Sequence, residues 1–394
     1  MQPLENVRVL AVEQYGAGPF GTMFLADQGA EIIKIENPRD GGDMSRDVGP
    51  FFVGDRDSLF FHAFNRNKKS LTLDLSRAAG KDVFHRLVAS ADAVASNLRG
   101  DVPEKLGLTY DALTPHNAAI VCAHLSAYGR SGPRASWPGY DYLMQAEAGY
   151  FSLTGEPGGP PARFGLSIVD LMTGLAMAYA LLAGLTQARS TGFGRDMDVS
   201  LFDVALNNTN YLASWYLNAG HVQGREPRSA HPALVPCQMY RTQDSWIFLM
   251  CNKEKFWPAL CEAIGHPEWG SDVRFASFKD RLAFRELLTE MIDDALSTRS
   301  TAQWMEVFGG KVPASPINDI KAALDNPFVT EQGRIQDIPR ADGSTLRLIA
   351  PPVTCSEPPP ARPGPDLGEH TDEVLSSAGF ASTEIEALRR DEVI

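Results

Sequence analysis

Several things are scarce in this 394-residue chain, and each scarcity removes a class of function. Basic residues are outnumbered, 36 against 49 acidic ones, for a net charge of −13. Such a chain offers no broad cationic surface to a phosphate backbone, so no nucleic-acid partner is expected. The five cysteines (Cys122, Cys237, Cys251, Cys261 and Cys355) are scattered and form no C-x-x-C pair. That spacing suits reduced thiols in a cytoplasmic protein and not a disulfide framework or a zinc site. The eight histidines form no H-x-x-x-H or H-E-x-x-H arrangement, so no metal is expected. A G-x-S-x-G elbow and a G-x-x-x-x-G-K-[ST] loop are both missing, which leaves a serine hydrolase and a P-loop kinase unsupported. The opening MQPLENVRVL does not read as a signal peptide. The longest apolar run, Leu171 to about Leu185, falls short of the roughly 20 residues a bilayer requires. A buried core helix is expected there, and no membrane partner.

What the chain does contain is the balance of a globular protein, 44% hydrophobic and 22% charged. Short β-branched runs alternate with helical patterns from the start. VRVLAVE reads as a strand, GAGPFG as a turn, TMFLADQGA as a helix and EIIKIE as the next strand, which makes one βαβ unit. SLTLDL, DAVASN and AAIVCAHLSAYG continue the series as strands. The expected fold class is therefore α/β, with an open, mostly parallel, Rossmann-like sheet and ligands beyond the carboxyl ends of its strands. A long apolar helix follows from Ser167 to about Ala188, then a strand and a second long helix through RDMDVSLFDVALNNTNYLASWYL. Loop-like text at Gln223–Pro236 marks a boundary, and the segment beyond it reads as a smaller α+β domain. The proline-rich TCSEPPPARPGP reads as an extended linker to two short terminal helices. The expected division is 1–222, 223–350 and 351–394.

Two places invite chemistry. Gly16-Ala17-Gly18-Pro19-Phe20-Gly21 fits G-x-G-x-x-G between a strand and a helix, with Glu36 ending the next strand. Glycines in that setting let a backbone approach a pyrophosphate at a helix N-terminus, with the acidic residue on a ribose hydroxyl. Pro19 offers no N–H, and the distance to Glu36 is short for that fingerprint. The residues alone leave open a dinucleotide, another nucleotide, or a structural turn. The second place is Asp170, directly ahead of the apolar run. It reads either as an N-cap or as a carboxylate kept ionised by helix N–H groups and able to form a covalent acyl intermediate.

Taken together, AGPFGTMFLADQGAEIIKIENP, NKKSLTLDL, SNLRGDVPEKLGL, LSAYGRSGPRASWPGYDYLMQAEAG, GLSIVDLMTG, GFGRDMDVSLFD and LGEHTDEVL resemble the class III CoA-transferase family, the CaiB/BaiF group that includes formyl-CoA transferase and α-methylacyl-CoA racemase. The resemblance implies a CoA-transferase whose opening fold holds coenzyme A, with acyl-CoA and a small carboxylic acid as substrates and no permanently bound cofactor. It implies Asp170 as the nucleophile. Tyr15, Gly16 and Ala17 are then expected along the CoA path, and Asn37, Leu73, Asn97, Leu98 and Lys105 around the adenosine and diphosphate. Arg39 is a second candidate for phosphate charge. Tyr140 and Asp141 are expected to border the acyl site, with Arg134 or Arg163 as partners for a polar substrate.

The racemase branch carries a histidine in a GHDINY-like segment, where this chain has Gly139-Tyr140-Asp141-Tyr142. Tyrosine, with a pKa of about 10, is a poor base at neutral pH, which favours transfer over epimerisation. An NAD-dependent oxidoreductase remains the alternative from another class. No GGGG-like run follows residue 225, so the mobile glycine loop of formyl-CoA transferase has no expected counterpart. The resemblance also implies ring-shaped chains interlocked as a homodimer, or paired with a homologous subunit, with the C-terminal segment returning to the first domain.

Overall fold

The computed structural model describes residues 2–394. The chain forms two compact units. One comprises Met1–Ala148, Gly165–Asn210 and Glu331–Ile394; the other comprises Gly149–Phe164 and Tyr211–Thr330. The boundaries differ from those expected at 222/223 and 350/351. The stretch read as one long helix breaks at Asn210, whose φ of 45° no α-helix accommodates. It becomes two helices, Leu201–Asn208 and Asn210–Ala219, and the division between units falls at that break.

The first unit is built on a six-stranded sheet of β1 (Arg8–Val12), β2 (Glu31–Glu36), β3 (Lys69–Thr72), β4 (Ala93–Ser96), β5 (Val121–Ser126) and β6 (Arg195–Ser200). Their spatial order is β3-β2-β1-β4-β5-β6, and every pairing is parallel. This is the Rossmann order, and its direction reverses between β1 and β4, where such sheets open a crevice for ligands. The central strands are apolar on both faces because both faces are covered. On one face Leu10, Ile33, Leu71 and Val94 pack with Phe84 and Leu87 of the Ala78–Val88 helix. Leu375, Phe380, Ile385 and Val393 of the C-terminal segment join the same core. Backbone bonds pin that segment to the sheet edge: the His370 N–H donates to the Ser70 carbonyl at 2.9 Å, and the Asp74 N–H to the Val393 carbonyl at 2.8 Å.

The other face carries α1 (Ala17–Ala26) and α2 (Ile168–Thr191). Helix α1 begins inside GAGPFG and not after it, so the expected glycine turn is the helix's own first turns. Helix α2 runs 24 residues, longer than the apolar run suggested, and is apolar and long enough by composition to cross a bilayer. Half of its most apolar stretch is buried, packed on α1, β5 and β6. The two helices cross backbone to backbone. A Cβ on Gly174 would lie 2.5 Å from the Ala17 carbonyl oxygen, and one on Gly21 would collide with the Gly174 carbonyl.

The second unit has an antiparallel sheet of Ala314–Pro316, Trp246–Met250 and Cys237–Arg241. Its core gathers Tyr240, Ile247, Trp257, Leu288 and Trp304. Arg281 is fully buried there, and its guanidinium is satisfied by the Val235 and Phe275 carbonyls and by Glu254.

The crossing generates a prediction. Gly21→Ala forces α1 away from α2 and costs about 1–3 kcal/mol of unfolding free energy, the usual penalty for overpacking. Urea unfolding measures it; an unchanged midpoint contradicts the close approach.

Candidate active site

The chain leaves β1 at the point where strand order reverses, and the three residues that follow β1 are held from several sides. Lys34, fully buried on β2, donates to the Glu13 carbonyl at 2.9 Å. Asn97, just past β4, accepts from the Gln14 N–H at 2.9 Å and donates to the Gln14 carbonyl at 2.6 Å. Asp43 accepts from the Tyr15 N–H at 3.0 Å and is itself paired with Lys34 at 2.7 Å. This pairing holds the Asp43 carboxyl down at about 2 against the opposing effect of its burial. Under this clamp Tyr15 adopts a φ of 68°. A bulky residue in the left-handed region costs about 1–3 kcal/mol and persists only where its surroundings over-determine it.

Gly16 comes next, and Asp170 lies against it: a Cβ on Gly16 would stand 3.2 Å from Asp170 Oδ2. Asp170 is not the N-cap of α2. That position is Ser167, and Asp170 is the third residue of the helix. Its own N–H donates to Asp141 Oδ2 at 3.0 Å, so the carboxylate capping this helix comes from Asp141. Gln145 Nε2 fixes Asp141 through Oδ1 at 2.6 Å and also donates to the Leu166 carbonyl at 3.0 Å. Among the described residues nothing donates a hydrogen bond to the Asp170 carboxylate. Burial first, then the nearby Asp141, push its pKa up to about 7. The helix N-termini do not keep it at an ordinary acidity, as the sequence suggested; desolvation and a like charge prevail.

A cavity of about 350 Å³ opens above this carboxylate. Its lining includes the expected Tyr15, Gly16, Ala17, Asn97, Leu98, Tyr140 and Asp170. A second cavity of about 270 Å³ lies beyond the carboxyl ends of β1, β2 and β3, and the expected Asn37, Leu73 and Leu98 line it. Gln14 and Leu98 belong to both linings, so the two are adjacent.

Five expected residues lie outside these linings. Arg39 pairs with Asp74 at 3.3 Å. Lys105 is exposed and pairs with Asp101, which also holds Arg99. Asp141 is buried behind Asp170 and does not border the cavity. Arg134 pairs with Glu147 and lies over the Trp137 ring at 4.8 Å, and Arg163 falls in the other unit. Glu36, the candidate ribose ligand, is consumed: it accepts from Arg46 Nε and Nη2 at 2.9 and 2.8 Å, from the Asp43 N–H at 2.9 Å and from Ser70 Oγ at 2.5 Å. Its pKa is lowered: burial opposes this, but Arg46 and Lys34 outweigh burial. The expectation of a dinucleotide fingerprint loses its acidic partner. Its glycines serve close packing at Asp170, Asn97 and α2.

Met44, Arg99 and Trp137 also line the larger cavity and were not singled out from the sequence. Arg99 is the one cation in either lining. Its position two residues past Asn97 was the available signal. Trp137 offered none, because it comes from an irregular segment. His124 is an internal packed group, hydrogen-bonded to Ser96 and Asp196, both at 3.0 Å. No cluster of potential metal ligands occurs among the described residues. The arrangement is thus a half-buried carboxylate without donors, beside a strained turn, on a cavity walled by apolar and aromatic side chains together with Gln14, Asn97, Arg99 and Ser126.

Comparison with known proteins agrees with this arrangement. A family model described as CoA-transferase family III matches residues 4–371. The succinate–glutarate CoA-transferase of Agrobacterium fabrum is 34% identical over 390 residues, spanning 95% of each chain. The succinyl-CoA:mesaconate CoA-transferase of Haloarcula hispanica is 32% identical, spanning 97% of this chain and 98% of the other. The crystal structure of a CAIB/BAIF family protein from Brucella suis superposes with a TM-score of 0.82 at 30% identity, covering 96% of this chain and 99% of that one.

The raised Asp170 pKa has a consequence for stability. The folded state holds this proton more tightly than the unfolded chain, whose carboxyl titrates near 4. Stability therefore falls as pH rises from about 4 to 7, and the penalty is fully present above. Asp170→Asn should raise the melting temperature more at about pH 8.5 than at about pH 5.5. Equal gains, or a loss at the higher pH, contradict the assignment.

Proposed function

The chain belongs to CoA-transferase family III and is an enzyme of that class; from that membership we propose that it moves CoA between an acyl-CoA thioester and a small dicarboxylic acid, with Asp170 as the covalent carrier. The observation that carries this reading is the Asp170 carboxylate itself, half-buried, unsatisfied by donors and raised to about 7. Such a group is a better nucleophile than an ordinary solvated carboxylate and is ionised in a large fraction of molecules at neutral pH.

The reaction runs in balanced steps. An Asp170 oxygen attacks the thioester carbonyl carbon, the C–S bond breaks, and CoA leaves as thiolate from a mixed anhydride. The thiolate attacks the aspartyl carbonyl of that anhydride, giving an aspartyl-CoA thioester and the donor acid. The acceptor carboxylate attacks this thioester, forms a second anhydride and releases the thiolate again. Attack of the thiolate on the acceptor's acyl carbon yields the new acyl-CoA and restores Asp170. The Gly16–Ala17 turn, at the N-terminus of α1, supplies backbone N–H groups for the developing oxyanions. The smaller cavity, lined by Asn37, Leu73 and Ser76, suits the adenosine end, and Arg99 suits a phosphate or a distal carboxylate.

The dicarboxylic class follows from relatives named for succinate, glutarate and mesaconate. Transfer is favoured over epimerisation because neither cavity lining contains a histidine to act as an α-proton base. The family resemblance also supports a homodimer, and the exposed stripe of Met172, Leu175, Tyr179 and Leu182 on α2 is an apolar surface that assembly would cover.

Two measurements test these statements. With succinyl-CoA as donor and a panel of dicarboxylates as acceptors, Asp170→Ala should lose at least about a thousandfold in transfer while keeping its circular-dichroism spectrum. Retained transfer refutes the carrier role. Sedimentation at micromolar concentration should give the mass of two chains; a single-chain mass refutes the homodimer.

A further inference from the structure

Tyr15 is held more firmly than turn closure requires. Glycine would take a φ of 68° without strain, yet the position carries a tyrosine whose backbone is kept there by other segments. Asp43 accepts its N–H, Asn97 binds both backbone groups of the preceding Gln14, and Lys34 ties the Glu13 carbonyl to Asp43. These anchors are themselves buried or paired, so the turn has little freedom to relax.

The side chain gives the reason for the restraint. Its ring leans on Phe60 with centroids 5.1 Å apart, a contact that phenylalanine would make equally well. Its hydroxyl has no hydrogen-bond partner among the described residues. The residue lines the cavity that contains Asp170, next in the chain to the glycine on which the Asp170 carboxylate lies. Burial, then the charge of Asp170, then Tyr142 and Tyr140, hold the phenol above its ordinary pKa. At neutral pH it is therefore a donor and not a base.

We infer that Tyr15 is a catalytic hydrogen-bond donor, its hydroxyl engaging the acyl carbonyl oxygen while Asp170 attacks the acyl carbon. This rests on Asp170 being the nucleophile. As the Asp170 oxygen bonds to the carbon, the carbonyl π pair moves onto oxygen, and the phenol donates a hydrogen bond to that oxyanion without giving up its proton. The pair then returns, the C–S bond breaks, and the thiolate leaves with the bonding electrons. A donor is useful here only if it is in place before charge develops. The clamped, strained backbone provides that pre-orientation and places the phenol on the same turn as the Gly16–Ala17 amides.

Tyr15→Phe in the full-length enzyme is the test, with Tyr15→Gly beside it. For Tyr15→Phe, kcat and kcat/KM should fall together by roughly a hundredfold, the usual loss for one oxyanion donor. KM should stay within about threefold, the acidic limb of the pH profile should not move, and the melting temperature should be unchanged. Tyr15→Gly should be no more active, although its backbone is unstrained. A kcat within about twofold of the parent, or a loss confined to KM, overturns the inference. The two readings separate cleanly. If the parent enzyme shows no exchange between acyl-CoA and carboxylates, or Asp170→Ala stays active, the proposed function fails. If both behave as expected and Tyr15→Phe is normal, only the role of Tyr15 fails.

Discussion

The site depends on the contact between α1 and α2, where two helices meet at Gly21 and Gly174 with no side chain between them. That approach brings the first turn of α2 against the turn that leaves β1. Gly16 then lets the Asp170 carboxylate lie directly on the backbone of that turn. A side chain at any of these glycines would widen the gap and admit water around the carboxylate. Desolvation is what raises Asp170 toward neutrality, so the chemistry of the site is set by how closely two helices pack.

A buried charge network holds the other wall. Lys34, Lys68, Glu13 and Asp43 lie under the β1–α1 turn, all almost wholly excluded from water. Lys68 binds Glu13 at 2.8 Å and the Pro19 carbonyl, also at 2.8 Å, joining strand end to helix start. Burial pushes its ammonium down to about 8, although Glu13 opposes this. Such networks are poor sources of stability, because desolvation cancels most of the attraction. Their value here is directional: they fix backbone groups of Glu13, Gln14 and Tyr15 in one conformation and leave Asp170 without a counter-ion. Asp141 completes the contrast. It takes the Asp170 N–H as a cap would, while its charge raises the neighbouring carboxylate.

Much of this was legible in the sequence, and the limits have physical reasons. The central parallel strands were readable because buried strands are apolar runs bounded by turns, whereas the edge strand β6 is largely polar and only partly buried. Asp170 was readable because a carboxylate ahead of an apolar helix is conspicuous. GAGPFG was located correctly, and its residues alone left its job open between a nucleotide site and a packing turn. Its glycines permit helix–helix and carboxylate contact, and a motif records only that close approach occurs, not what approaches. Glu36 looked available because its partner, Arg46, comes from a short 3-10 turn ten residues on. The break at Asn210 was overlooked because helical text continues on both sides of it, although asparagine takes a positive φ more readily than most residues. Asp141 was placed in the site, but its hydrogen bond to a residue 29 positions away has no local signature.

The central claim, that Asp170 carries CoA and acyl groups covalently, is tested most directly by trapping. The parent enzyme is mixed with succinyl-CoA alone, quenched with hydroxylamine or borohydride, digested and mapped by mass spectrometry. The account predicts a hydroxamate, or the reduced alcohol, at Asp170 within the GLSIVDLMTG segment, and an unmodified peptide when CoA replaces the thioester. A modification confined to another residue, or none under conditions where transfer proceeds, would contradict it.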